Sequence, residues 1–321
     1  MEVLTRTQVM RCATLAVCLV TTLASGVNAQ VSSPNPARQS DVIYGRKFGV
    51  ALTMEVFRPA SRNGIGILWV VSSSGRSSRE QTLSDSFERR IAPLLERGNT
   101  VFAVIHGSAP VFNLQDQVSD VRRAVRFVRQ RAAEFGVDGD RLGIGGSSAG
   151  GLLALIVAMD AQDGNPASDD PVERASSRLQ AVGCFFAPTD LTNFGAPAAS
   201  ILDWMQSQGG KTDPTFHFYE LDARTGARQP VTSREAVLSV LRDFSPATHV
   251  NSEAPPTILV HGEQDRAVPV QQSRWLVERL SQAKVPARLV VREGVGHAYP
   301  GWEGDGALLA DWFGQHLRHT R

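Results

Sequence analysis

Cysteine is nearly absent from this sequence, three in 321 residues, and the positions exclude a disulfide scaffold. Cys12 and Cys18 lie in an N-terminal apolar run, which leaves Cys184 in the body of the chain; there A-V-G-C-F-F-A reads as the surroundings of a buried structural thiol. No Cys/His spacing suits a metal, so none is expected, and no organic cofactor is expected either. Net charge is equally scarce. Lys and Arg number 33 against 32 Asp and Glu, and the arginines that dominate the basic set are scattered among acids, which argues against nucleic acid as a partner. Long apolar runs are missing too. The run over residues 12–24 falls short of the roughly 20 residues that span a bilayer, so no stable membrane insertion is expected.

That run has the marks of an export signal. Arg6 and Arg11 precede it, and Val27-Asn28-Ala29 offers small residues for cleavage before Gln30. The expected organisation is a signal peptide over 1–29, removed on export to the periplasm or the exterior, and a disordered Pro/Ser/Asn-rich lead-in over 30–40. One folded domain over 41–321 follows. A composition of 42% hydrophobic and 20% charged residues suits one large α/β domain of that length.

Within the domain, alternating apolar positions over 41–59, interrupted at Gly45 and Gly49, predict a β-hairpin at a sheet edge. A continuous apolar run at 66–71 predicts a strand buried on both faces, and further strands are predicted at 100–106, 142–145, 181–190, 255–262 and 287–291. Helices are predicted between them, over 83–97, 117–135, 270–282 and 307–316, with an apolar one after residue 148 and a short one after Pro171. Residues 191–245 break the pattern; their Gly/Pro breaks and the aromatics Trp204, Phe216, Phe218 and Tyr219, read as exposed, predict a partly helical insertion above the sheet. Strands alternating with helices in one series give a mostly parallel sheet covered on both faces. Ligands bind such sheets beyond the carboxyl ends of the strands. The loops carrying Ser72 to Gly75, His106, Ser148, Asp190, Asp265 and His297 all fall there.

One of those loops has a distinctive form. Gly146-Ser147-Ser148-Ala149-Gly150 fits G-x-S-x-G, in which a tight strand-to-helix turn lifts one hydroxyl above the sheet; Ser148 is the candidate nucleophile. The same residues do not make a phosphate loop or a dinucleotide fingerprint. A serine hydroxyl needs a base to take its proton, and the base needs a third group to orient it. H-G-E-Q-D-R-A-V-P places Asp265 after one strand, and V-V-R-E-G-V-G-H places His297 after the next, so His297 is the candidate base and Asp265 its partner. Asp190 and Glu263 compete for the acid role and rank lower, because the strand before Asp265 immediately precedes the one leading to His297. His106 and His261 end strands without occupying the position of the base, and Ser147 has at most a supporting role.

With these parts the chain resembles the α/β-hydrolase superfamily, and within it the carboxylesterases and acetyl-xylan or feruloyl esterases related to hormone-sensitive-lipase and prolyl-oligopeptidase catalytic domains. The resemblance covers about residues 48–317. It rests on D-V-R-R-A-V-R-F-V-R, the block G-V-D-G-D-R-L-G-I-G-G-S-S-A-G-G, D-F-S-P-A-T-H-V, H-G-E-Q-D-R-A-V-P and G-V-G-H. It implies an α/β-hydrolase fold with a cap-like insertion at 191–245 and a Ser148-Asp265-His297 triad. The implied activity is hydrolysis of small acyl esters through an acyl-enzyme, on small-molecule or carbohydrate-linked substrates. Relatives carry H-G-G-G after the strand that ends here at Val71, whereas this chain has Ser72-Ser73-Ser74-Gly75-Arg76. The backbone N–H of Ala149 and that of Ser73 or Ser74 are the expected oxyanion donors. A serine peptidase of the prolyl-oligopeptidase type is the second reading, and a non-catalytic binding module, favoured by the altered serine-rich loop, is the third.

Overall fold

The computed structural model describes residues 37–318. The expected signal peptide, and the lead-in up to residue 36, lie outside the described residues. Strand β1 (Ala37–Lys47) turns at Phe48 and Gly49 into β2 (Val50–Arg58), and β3 (Gly66–Val71) leads through a 3₁₀ turn to α1 (Asp85–Glu96). Then come β4 (Thr100–Ile105), α2 (Leu114–Gln130), the single-turn α3 (Ala132–Phe135), β5 (Leu142–Ser147), α4 (Ala149–Met159) and β6 (Ala181–Phe185). The insertion contributes α5 (Ile201–Ser207), a small hairpin of β7 (Tyr219–Leu221) and β8 (Arg228–Pro230), and α6 (Arg234–Asp243). The chain closes with β9 (Thr257–Gly262), α7 (Gln271–Gln282), β10 (Ala287–Arg292) and α8 (Gly306–His316).

Eight strands form one sheet in the order β1-β2-β4-β3-β5-β6-β9-β10. Pairing from β4 to β10 is parallel, and β2 runs antiparallel to both its neighbours. The inner strands β3, β4, β5, β6 and β9 are buried almost throughout because both faces are covered, whereas β1 and β10 at the sheet edges are partly exposed. Ile67, Trp69 and Val71 of β3 pack with Phe87 and Ile91 of α1 and Leu309 and Phe313 of α8, while Leu68 and Val70 pack with Val118, Val121 and Val125 of α2 and with α4. The two-residue alternation of a strand thus splits one run between two cores.

Five sequence expectations change here; the strand expected over 181–190 ends at Phe185. Ala37 to Ser40, read as the end of a disordered lead-in, belong to β1: Ala37 pairs with Arg58, and Arg38 Nε donates to the buried Glu55 carboxylate at 2.8 Å. Gly45 stays inside β1, where the register shifts, and the hairpin turns at Phe48-Gly49 alone. Helix α2 starts earlier than expected, since Asn113 accepts from the Asp116 N–H (3.1 Å) and Asp116 accepts from the Asn113 N–H (3.2 Å), a reciprocal cap. It stops before Phe135 because the chain breaks at Arg131, and the single turn α3 ends on Gly136 in the left-handed region. After Pro171 there are turns rather than a helix, tied down by ion pairs from Arg123 to Asp170 and Glu173 (both 2.7 Å).

The aromatics of the insertion also differ from the expectation. Phe216 and Phe218 are buried in the larger core, and Trp204 and Tyr219 are half-buried, with the Tyr219 hydroxyl donating to Asp116 at the start of α2. Packing of the insertion onto the body outweighs exposure. Cys184 is fully buried beneath α4, and desolvation pushes its thiol up to about 12. Among the described residues no helix is long and apolar enough to cross a membrane.

Candidate active site

The β5-to-α4 junction is a sharp corner because two glycines permit contacts that a side chain would forbid. A Cβ on Gly150 would lie 2.4 Å from the Val70 carbonyl oxygen, and one on Gly146 would lie 2.5 Å from the backbone of Gly150. Between them Ser148 adopts φ 51°, ψ −121°, a conformation costly for a non-glycine residue and held by its N–H donating to the Phe185 carbonyl at 2.9 Å. That corner lifts the Ser148 side chain out of the sheet toward the loops after β9 and β10.

His297, on the loop after β10, brings Nε2 to 3.1 Å from Ser148 Oγ, and its Nδ1 lies 2.6 Å from Asp265 Oδ2. Burial by itself would raise the Asp265 carboxyl. Hydrogen bonds from His261, His297 and the Val268 N–H oppose it and hold the carboxyl well below the usual carboxylate range. The ionised acid accepts only, so a neutral His297 carries its proton on Nδ1 and leaves Nε2 free to accept from Ser148. Asp265 Oδ1 receives the N–H groups of Ala267 and Val268, each at 2.9 Å. The Phe186 ring packs against His297 in a tilted, edge-type contact, with centroids 4.5 Å apart.

The competing residues are engaged elsewhere. Asp190 caps its own loop through the N–H groups of Thr192 and Asn193 (both 3.0 Å), and the exposed Glu263 accepts from the Gly294 N–H. His106 is buried, with Nδ1 2.8 Å from the Gly107 carbonyl; desolvation draws it down to about 4 and keeps it neutral. Ser147 lines the cleft. His261 has a larger part than its sequence position suggested. Fully buried, it reaches Ser273 Oγ at 2.7 Å through Nδ1, and through Nε2 the Val268 carbonyl at 2.8 Å and Asp265 Oδ2 at 3.2 Å. The histidine four residues before Asp265 in H-G-E-Q-D was the available signal.

The serine-rich loop after β3 folds into a two-residue turn. Ser73 and Arg76 exchange backbone hydrogen bonds (2.9 and 3.0 Å), with Ser74 at φ 46° and Gly75 at φ 65° between them. Of the two loop donors expected for an oxyanion, the Ser73 N–H is therefore committed to the Arg76 carbonyl. The N–H groups of Ser74 and Ala149 make no hydrogen bond among the described residues, and both residues line the cleft. The turn is pinned from below, where the Gly75 carbonyl accepts from the Ala109 N–H and Gln117 Nε2, each at 3.0 Å. It is capped from above by Thr215 of the insertion, whose Oγ1 would lie 1.8 Å from a Cβ on Gly75.

These groups open on a cleft of about 1250 Å³ between the body and the insertion. Its walls include residues that sequence reasoning missed: Phe87 and Arg90 of α1, Phe186 after β6, and Trp302 after His297. No local pattern marks them, since they converge from distant segments.

The eight-stranded sheet, with β2 reversed and Ser148 at the corner after β5, defines an α/β-hydrolase. The family model BD-FAE matches residues 54–280, and the chain belongs to that family. Among curated proteins it is similar to the probable carboxylic ester hydrolase LipM of Mycobacterium tuberculosis, 32% identical over 247 residues that cover 77% of this chain and 52% of that one. The chain spans about half the length of the curated relatives it matches. Among solved structures it resembles a truncated carbohydrate esterase from gut microbiota (TM-score 0.65, 22% identity, 89% of this chain and 98% of that one). It also resembles an acetyl ester-xyloside bifunctional hydrolase from Caldicellulosiruptor lactoaceticus (TM-score 0.64, 20% identity, 89% and 96%).

Proposed function

We propose that the protein is a serine carboxylic-ester hydrolase that works through an acyl-enzyme. The observation that carries this reading is the continuous hydrogen-bonded line from Ser148 Oγ through His297 to a buried, ionised Asp265, beside two uncommitted backbone N–H groups. Ser148 Oγ attacks the ester carbonyl while His297 Nε2 takes its proton, and Asp265 stabilises the imidazolium that forms. The carbonyl oxygen, now an alkoxide, is received by the N–H groups of Ala149 and Ser74. Collapse breaks the ester C–O bond, His297 returns the proton to the leaving alcohol, and a water activated by the same imidazole releases the acid. The similar solved structures named as carbohydrate and acetyl esterases favour small acyl groups on a carbohydrate or similar alcohol, and the cleft has room for an alcohol of that size.

A fluorophosphonate probe tests the reading, because it reacts with an activated serine whatever the natural ester. The folded protein is expected to be labelled at Ser148, as read by peptide mass spectrometry. Folded protein left unlabelled would favour the binding-module alternative.

The turn after β3 offers a separate test. Gly75→Ala drives a methyl into Thr215 and displaces the turn that presents the Ser74 N–H, so kcat on a short-chain p-nitrophenyl ester is expected to fall about 10²-fold, the scale of one oxyanion donor. Gly75→Ala combined with Thr215→Ala, which removes the hydroxyl in the way, is expected to recover part of that loss. A Gly75→Ala enzyme with wild-type kcat would remove the turn from the mechanism.

A further inference from the structure

We propose that the cleft contains an anion subsite built on Arg90, and that the esters the protein takes carry a carboxylate besides the scissile bond; the substrate half of this rests on the hydrolase reading above. Arg90 projects from α1 onto the cleft wall. Its guanidinium lies over Trp302, 4.2 Å from the ring centroid, with Trp69 and Phe87 each at 5.8 Å. Among the described residues it makes no hydrogen bond and has no acid within 4.0 Å, and its Nε is sealed from solvent without a partner. The other deeply set arginines are answered. The Nε atoms of Arg122 and Arg126 are also buried without a partner, but their terminal nitrogens are answered, Arg122 by Asp160 at 2.6 Å and Arg126 by Glu173, and Arg129 donates to the carbonyls of Gly139, Ser176 and Arg178. The acid whose charge reaches Arg90 is Glu303, and that carboxylate is held by Ser86 at 2.7 Å and approached by Arg89 at 4.0 Å.

Burial draws Arg90 down to about 10, which leaves it cationic at neutral pH. A desolvated guanidinium without an acid is unfavourable unless something else answers it. Stacking on Trp302 occupies its faces only, so the planar N–H fork remains for a bidentate carboxylate. The rest of the cleft has the same sign. Among the described residues Lys211 and Arg266 stand exposed at the rim without an ion pair, and the one acid lining the cleft, Asp213, accepts from the Thr215 N–H at 2.8 Å. The subsite also adjoins the chemistry, since Phe186 contacts both the His297 ring (4.5 Å) and the Trp302 ring (5.0 Å) that Arg90 covers.

Two matched ester pairs test the proposal and separate the two sides of the scissile bond. Mono-p-nitrophenyl adipate against p-nitrophenyl hexanoate places the carboxylate on the acyl side; 4-acetoxybenzoate against 4-acetoxybenzamide places it on the alcohol side. In at least one pair, Arg90→Met is expected to lower the ratio of kcat/KM for the anionic over the neutral ester by about tenfold or more, the scale of a charged hydrogen bond. Arg90→Lys is expected to restore part of the ratio, and salt to lower it in the wild-type protein. Ratios that Arg90→Met leaves unchanged in both pairs overturn the subsite while the hydrolase reading stands. If none of the four esters is turned over, the fluorophosphonate probe decides the hydrolase reading, and calorimetric binding of adipate and 4-hydroxybenzoate decides the subsite: binding of either that Arg90→Met abolishes supports it, and no binding, or binding the substitution leaves unaltered, overturns it. Should thermal melting show Arg90→Met unfolded, Arg90→Lys and the salt series carry the test, and ratios indifferent to both overturn the proposal.

Discussion

Ser148→Ala is expected to lower kcat for a short-chain p-nitrophenyl ester by about 10⁴-fold or more, the scale seen when a serine nucleophile is removed from such a constellation. The large effect follows from the lack of a substitute. Ser147 ends β5 and is not the hydroxyl at the elbow, while the hydroxyl that faces His297 Nε2 at 3.1 Å belongs to Ser148 alone. Alanine keeps the left-handed backbone at φ 51° with the strain serine already bears, so the melting temperature should change little. KM should change less than kcat, because Ala149, Ser74 and the cleft walls still receive the ester. Hydrolysis at the wild-type rate in purified Ser148→Ala would remove Ser148 from the role of nucleophile.

Asp265→Asn is expected to cost about 10⁴ in kcat near neutral pH with the fold retained. Oδ1 of residue 265 accepts two backbone N–H groups, from Ala267 and Val268, and an asparagine must keep its carbonyl oxygen there. Its NH₂ group then faces His297 Nδ1, which has to become the acceptor. The imidazole proton moves to Nε2, where it opposes the Ser148 hydroxyl, and the base is lost without the ring having to move. The same NH₂ meets His261 Nε2, which stands 3.2 Å from Oδ2 in the native arrangement, so some destabilisation should accompany the loss of rate. The pH profile of kcat/KM and the melting temperature, taken together, separate the two effects. A variant with near-wild-type kcat would show that His297 does not depend on Asp265 for its tautomer.

The residues brought together at this site differ in how legible they were. Gly146-Ser147-Ser148-Ala149-Gly150 could be placed at a strand-to-helix corner because the apolar run before it, the small residues within it and the apolar run after it are neighbours in sequence. Asp265 and His297 could be placed at the same end of the sheet because each follows a strand of the parallel series, and all parallel strands end on one side. The reach of His261 to Asp265 was half visible, as a histidine at the end of its strand, but its hydrogen bonds depend on Ser273 and Val268 closing around it. The Ser73 N–H could not be excluded as an oxyanion donor from the string of serines; only the turn that gives it to the Arg76 carbonyl does so.

Similar limits apply to the frame. Strands β3, β4 and β9 were legible within a residue or two, because burial on both faces writes an apolar run, and the half-exposed edge strand β10 was placed by its short Leu289-Val290-Val291 run. Ala37 to Ser40 were not, since they are polar and exposed at a sheet edge and owe their order to β2 and Glu55. The aromatics of the insertion were misjudged for the same reason: whether Phe216 faces water or the core is set by what it lands on. The order of strands and helices, the corner that raises Ser148 and the chemical types on the surrounding loops follow from patterns a few residues long, because period and turn geometry act between neighbours. The shape and charge of the cleft were decided only in three dimensions, where the sheet carries α1, the end of β6 and the segment after His297 to a common wall and leaves Arg90 beside Trp302, a meeting of residues more than two hundred positions apart that no local pattern encodes.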